Sequence, residues 1–228
     1  MTRHLLAVLA LAIAVLAGCS EGRPGDVRTV LPINAIAYND SVGGNDTLYL
    51  KVQYAYTSTC EKTAKFEITA VAGTSDYDVV PVAKYPADEA CTGVNGSDVA
   101  TLRVTDVGDG PRRFLIHGSN QTIIANVLRS TSPIFVRESG IAFRVLVQDQ
   151  VTGNPIPGAL VQIRRLSDNF TLADGVADGT GRFDFTQPCD GSQLEYVVSA
   201  GASGRSTNLI MRTPPARCGT PEFVVIRV

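Results

Sequence analysis

Beyond the N-terminal stretch, few side chains are suited to nucleophilic, redox or metal chemistry: one histidine, His117, and four cysteines, Cys60, Cys91, Cys189 and Cys218. A Ser-His-Asp triad needs a histidine base. His117 closes an apolar stretch beside Gly118, and no Gly-x-Ser-x-Gly elbow is present. It reads as a partly exposed strand-end residue, and no catalytic residue is assigned. An even number of cysteines in an exported chain reads as disulfides, which leaves no thiol nucleophile. A zinc site would want Cys-x-x-Cys pairs, and there are none. Asp106 with Asp109, and Asp174 with Asp178, lie in Gly-rich turns. Two carboxylates fall short of the six to eight oxygens calcium takes, and Asp before Gly is ordinary turn chemistry. No metal and no cofactor is assigned. Paired carboxylates for glycosidic cleavage are not singled out among the 22 acidic residues.

The fifth cysteine, Cys19, has a different context. Met1-Thr-Arg-His4 carries positive charge, and Leu5–Ala17 contains only Leu, Ala, Val and Ile. A charged start and a short apolar run form the n- and h-regions of a secretory signal. The run is too short for a membrane span of about 20 residues. Leu16-Ala17-Gly18-Cys19 resembles the lipobox of bacterial lipoproteins. The resemblance implies diacylglyceryl on the Cys19 thiol, cleavage of residues 1–18, and acylation of the new amino terminus. Several acyl chains hold a protein on a membrane where one is marginal. The resemblance also implies that Ser20, in place of Asp, directs the chain to the outer membrane if the organism has one. The expected location is the cell envelope, with a membrane contacted through the lipid.

A net charge of −2 gives no reason to expect nucleic acid as a partner. The elements that must position any site are strands. Leu48, Leu50, Val52, Tyr54 and Tyr56 alternate with Tyr49, Lys51, Gln53 and Ala55; Phe66–Ala70 and Ala100–Val104 alternate likewise. Apolar segments follow at Tyr77–Val82, Phe114–Ile116, Thr122–Leu128 and Pro133–Val136. Turn residues separate them at 43–46, Asn95-Gly96, 108–111 and 118–120. Later strands are expected at 142–147, 159–163, 183–185, 194–199, 209–211 and 223–228, with turns at 148–158 and 174–181. No amphipathic helix is predicted.

The reading is all-β: two Ig-like β-sandwich domains after a cleaved lipoprotein signal peptide. Residues 19–27 form a lipidated tether with a reach on the order of 15 Å, 28–138 an N-terminal sandwich, and 139–228 a second one expected to fold alone. A division near 138 makes local pairing simplest, Cys60 with Cys91 and Cys189 with Cys218.

Val147-Gln-Asp-Gln-Val-Thr-Gly-Asn-Pro-Ile-Pro-Gly-Ala-Leu-Val161 and Ala173-Asp-Gly-Val-Ala-Asp-Gly-Thr-Gly-Arg-Phe183 resemble the two signatures of carboxypeptidase regulatory-like domains. The likeness covers residues 139–228 and implies a prealbumin-like, Ig-like sandwich. This copy lacks the aromatic often found near the end of the sixth strand, around Ala200–Ser206. Such domains are accessories in most of their hosts. The expected function is therefore a non-enzymatic envelope module, a binding, scaffold or spacer unit with an envelope protein or surface polymer as partner. The alternative is an envelope hydrolase, or enzyme accessory, with its site in residues 28–138.

Overall fold

A computed structural model describes residues 25–39, 41–43, 47–105, 109–130, 140–188, 195–202, 209–212 and 221–228. Cys19, Cys189, Cys218, Asp106 and the segment Pro133–Val136 lie outside them. The described chain is all-β, and its sheets pack as a sandwich does. In order, the strands are β1 (Asp26–Val30), β2 (Ile33–Asn39), β3 (Ser41–Gly43), β4 (Leu48–Ser58), β5 (Lys65–Ala70), β6 (Asp76–Pro86), β7 (Gly93–Val104), β8 (Gly110–His117) and β9 (Thr122–Ser130). They continue with β10 (Gly140–Gln148), β11 (Leu160–Arg165), β12 (Thr171–Val176), β13 (Arg182–Pro188), β14 (Tyr196–Gly201), β15 (Leu209–Arg212) and β16 (Glu222–Arg227). A 3-10 turn, Thr59–Glu61, follows β4.

Three sheets form. The first runs β1-β6-β8-β9-β3, with β5 also on β6; the middle one runs β13-β10-β16-β2-β4-β7; the third runs β12-β11-β14-β15. The central strands of the middle sheet, β10, β16 and β2, are buried on both sides. Ala35, Ala37, Phe143, Val145, Val224 and Ile226 share a core with Val161, Ile163, Tyr196 and Val198 of the third sheet. The alternate residues Ile36, Tyr38, Leu50, Val52 and Val225 share another with Val79, Phe114, Ile116 and Ile123 of the first. Strand period two delivers one residue to each core in turn. Phe143, fully buried, meets Tyr196 edge-on at 5.0 Å between ring centres.

This order revises the expectation of two self-contained sandwiches divided near residue 138. The middle sheet crosses that point, because β16 pairs antiparallel with β2 from Glu222↔Asn39 to Ile226↔Ala35. Asn39 also donates its side-chain amide to the buried Glu222 carboxylate at 2.6 Å. Smaller corrections follow. Asp26 and Val27, assigned to the tether, belong to β1 and pair with Pro86 and Tyr85. Asn95-Gly96, read as a turn, lies inside β7, with Gly96 opposite Tyr56. Glycine is used there for space: a Cβ on Gly96 would sit 2.4 Å from the Tyr56 ring. Asp174, Gly175 and Val176 extend β12, so the reversal before β13 is shorter than expected. Gly181 takes φ +74° in that reversal, a left-handed conformation open to glycine.

Across the first sheet, Glu67 on β5 accepts from Arg28 on β1 at 2.6 and 3.0 Å and pairs with Lys84 on β6 at 2.7 Å. The Arg28 hydrogen bond, then the Lys84 one, holds the Glu67 carboxyl down from 4.5 to about 2. Its folded value lies below its unfolded one, so its stabilisation is present above about pH 4.5 and lost as pH falls through about 2. We expect Glu67→Gln to flatten the acid limb of the stability profile in that window by lowering the neutral-pH plateau, modestly because solvent screens the pairs, and to leave the value near pH 2 close to wild type. Urea midpoints measured from pH 2 to 7 test this; an acid limb superimposable on wild type would refute it.

Candidate functional site

The open face of β4 and β7 carries the most concentrated polar chemistry among the described residues. The register explains its origin. Along one face of the middle sheet, Ala37 is followed by Lys51 and then Thr101, and Ala35 by Gln53 and then Val99. The alanines lie under the third sheet. One strand further out the apolar row becomes a polar one. The result is a recess of about 390 Å³ lined by Lys51, Gln53, Ser97, Asp98, Thr101 and Glu195. Glu195, just ahead of β14, reaches over from the other half of the chain and pairs with Lys51 Nζ at 3.0 Å.

Lys51 and Gln53 were expected on a solvated strand face. They are instead only 8% and 6% exposed. The Lys51 stem lies along the sheet with its ammonium directed to Glu195, which keeps the charge compensated. Asp98, on the exposed edge strand β7, accepts from the Val99 N–H at 2.7 Å. The Gln53 Oε1 atom is buried with no hydrogen-bond partner. A buried acceptor without a donor typically costs about 1–3 kcal/mol. Further along the same face Tyr49 stands opposite Arg103, whose guanidinium lies 5.5 Å from the ring centre.

His117 does end a strand, β8, and is part of a small array. Its Nε2 lies 2.9 Å from Asp78 Oδ1 and its Nδ1 2.9 Å from Thr122 Oγ1. These three residues stand on β6, β8 and the start of β9, and the His117 and Asp78 side chains are 37% and 44% exposed. A carboxylate, an imidazole and a hydroxyl in line can pass a proton. An exposed contact of this type contributes little to stability. Arg227 of β16 reaches the same corner, donating to Thr122 O at 3.1 Å and Gln121 Oε1 at 2.6 Å.

Asp174, Asp178 and three arginines have local employment. Asp178 accepts from Thr180 N at 2.7 Å and Arg182 N at 3.0 Å, and the Arg182 contact first holds its carboxyl below the ordinary range. Asp174 lies in β12, and among the described residues no three His, Cys, Asp or Glu side chains converge as ligands. Arg113 makes a two-pronged bond with Asp76, Arg165 pairs with Asp168 at 3.1 Å, and Arg164 donates to Asn169 at 2.9 Å. Cys60 and Cys91 are bonded, with Cα atoms 5.5 Å apart. The bond lies where the 3-10 turn meets the start of β7, and Thr59 N donates to Thr92 O at 2.9 Å beside it.

No family model and no curated protein matches the chain. Among solved structures, it is similar to the Bacillus anthracis TIE protein at 9% identity and a TM-score of 0.29, over 91% of this chain and 34% of that one. The chain spans about a third of that protein's length, and a likeness of this degree carries no functional argument.

Proposed function

We propose that the mature chain is a lipid-anchored cell-envelope module that binds a partner without transforming it. The observation that carries the binding reading is the recess over β4 and β7, a polar site held by hydrogen-bonded strands. Its ammonium is already paired with Glu195. Rigid sheet positions suit recognition, because the side chains are ordered before the ligand arrives. The anchor rests on Leu16-Ala17-Gly18-Cys19 after an apolar run, and Ser20 favours the outer membrane where one exists. The resemblance of residues 139–228 to carboxypeptidase regulatory-like domains agrees with an accessory role.

Cells fed a clickable palmitate analogue should label the wild-type protein and not Cys19→Ser. The wild type should fractionate with membranes and the variant should be released. Equal labelling of both would defeat the anchor.

The Asp78–His117–Thr122 array favours a second reading, an envelope hydrolase with its site in residues 28–138. Labelling of Thr122 by a fluorophosphonate probe, lost in His117→Ala, would select it over the binding module.

A further inference from the structure

We propose that the slot between β10 and β2 is a strand-binding site that accepts β16 from a second copy of this chain as well as from its own. The proposal goes beyond the binding reading above and draws on neither the recess nor the anchor. No turn joins β16 to either of its neighbours. It lies parallel to β10, from Phe143↔Glu222 to Gln148↔Arg227, and antiparallel to β2. The strand before it in the chain, β15, belongs to the third sheet. In a hairpin the turn fixes the register. Here the slot itself has to fix it, and a slot that reads a strand by its side chains is indifferent to which copy supplies that strand.

The slot reads β16 on both faces and at one polar point. Val224 and Ile226, fully buried, enter the core shared with the third sheet. Val225, 4% exposed, enters the core shared with the first sheet, and Phe223 packs against that core. Glu222, fully buried, accepts the Asn39 amide at 2.6 Å. A two-residue slip would keep the faces but set this carboxylate opposite Ala37, which has nothing to donate from its side chain. The strand is also the last of the chain, so its departure displaces no later element. Residues 213–221 connect β15 to it, and a connection of that length reaches about 30 Å when extended. Exchange of one terminal strand is a low-cost route to a dimer, because each slot is refilled by the same contacts.

Two measurements test this. In the first, a protease site is placed between Gly219 and Thr220 of the full mature chain, which is folded and then cut. A fluorescein-labelled peptide of residues 220–228 should exchange into the slot, read by anisotropy. The Glu222→Ala peptide should bind about tenfold more weakly, because the Asn39 amide loses its acceptor. The Val225→Asp peptide should lose about a hundredfold or more, because it carries a charge into a core. The second measurement needs no cut and decides alone if the cut chain unfolds. Copies with Ala35→Cys and copies with Ile226→Cys, positions that face each other across β2 and β16, carry different tags. Refolded together at high concentration, they should give a disulfide-linked dimer bearing both tags. A chain with both substitutions should crosslink within itself when dilute. Absence of peptide exchange, or exchange indifferent to Glu222→Ala, overturns the strand-binding site. Absence of the mixed-tag dimer overturns the second copy as its occupant. A dimer formed equally well with the exposed Val151→Cys in place of Ile226→Cys does the same, since it reports random thiol capture.

Discussion

A fragment of residues 139–228 made alone should fail to melt cooperatively, and returning β2 to it should restore the transition. In the intact chain β16 is an interior strand, with β10 on one side and β2 on the other. Cutting at 138 turns it into an edge. It loses five residue pairings to β2, from Asn39 through Ala35, and Glu222 loses the Asn39 amide. Each lost hydrogen bond costs about 0.5–1.5 kcal/mol, against a domain stability of about 5–15 kcal/mol. The cut also uncovers Val225, 4% exposed in the whole chain, and removes Ala35 and Ala37 from the core beneath the third sheet. An unpaired apolar edge then invites aggregation. The rescue follows from the register: Ala35 faces Ile226, so β2 begins beside the end of β16. Residues 32–39 joined to Val228 through a short Gly-containing turn should form the missing hairpin. Thermal melts by circular dichroism decide it. If the bare fragment melts as cooperatively as the extended one, the halves are independent units.

Reduction should lower stability by about 3–4 kcal/mol through Cys60–Cys91 alone. The bond joins residues 31 apart, and closing a loop of that length removes about this much denatured-state entropy on the chain model. For a chain of this size that corresponds to a fall of roughly 6–16 °C in melting temperature. Cys60→Ser, Cys91→Ser and the double variant should each melt lower by the same amount, since either change opens the same loop. Non-reducing peptide mapping should recover Cys60 linked to Cys91, and it also shows how Cys189 and Cys218 are disposed. A Cys60–Cys91 variant with an unchanged melting temperature, or free thiols at both positions in the native protein, would contradict the expectation.

Where apolar and polar residues alternate along a strand, the pattern was legible. Leu48, Leu50, Val52 and Tyr54 alternate in sequence and are buried in the structure. The central strand β2 escaped notice for the converse reason. Ile33-Asn-Ala-Ile-Ala-Tyr38 contributes to cores on both sides, so no alternation survives. A short, nearly continuous apolar run between Pro32 and Asn39 was the available signal, and it is the signature of a doubly covered strand. The first half of β7 was hidden by Asn95-Gly96, which usually mark a turn; here the glycine makes room for the Tyr56 ring. The recess was legible only in part. Lys51 and Gln53 showed a polar strand face, but Glu195, which closes over it, lies 144 positions away, and local spacing holds no trace of that meeting.

The β2–β16 pairing also bears on how the chain reaches this state. Asn39 and Glu222 are 183 residues apart, and their strands meet in the interior of the middle sheet. Contacts of such high order are slow to form, because a large loop must close before any hydrogen bond rewards it. A chain synthesised from its N-terminus holds the β2 edge open until Glu222–Arg227 emerge. During that interval the half-built sheet displays a sticky strand, as slow-folding intermediates do. The late arrival of β16 leaves the middle sheet unfinished until that strand is made.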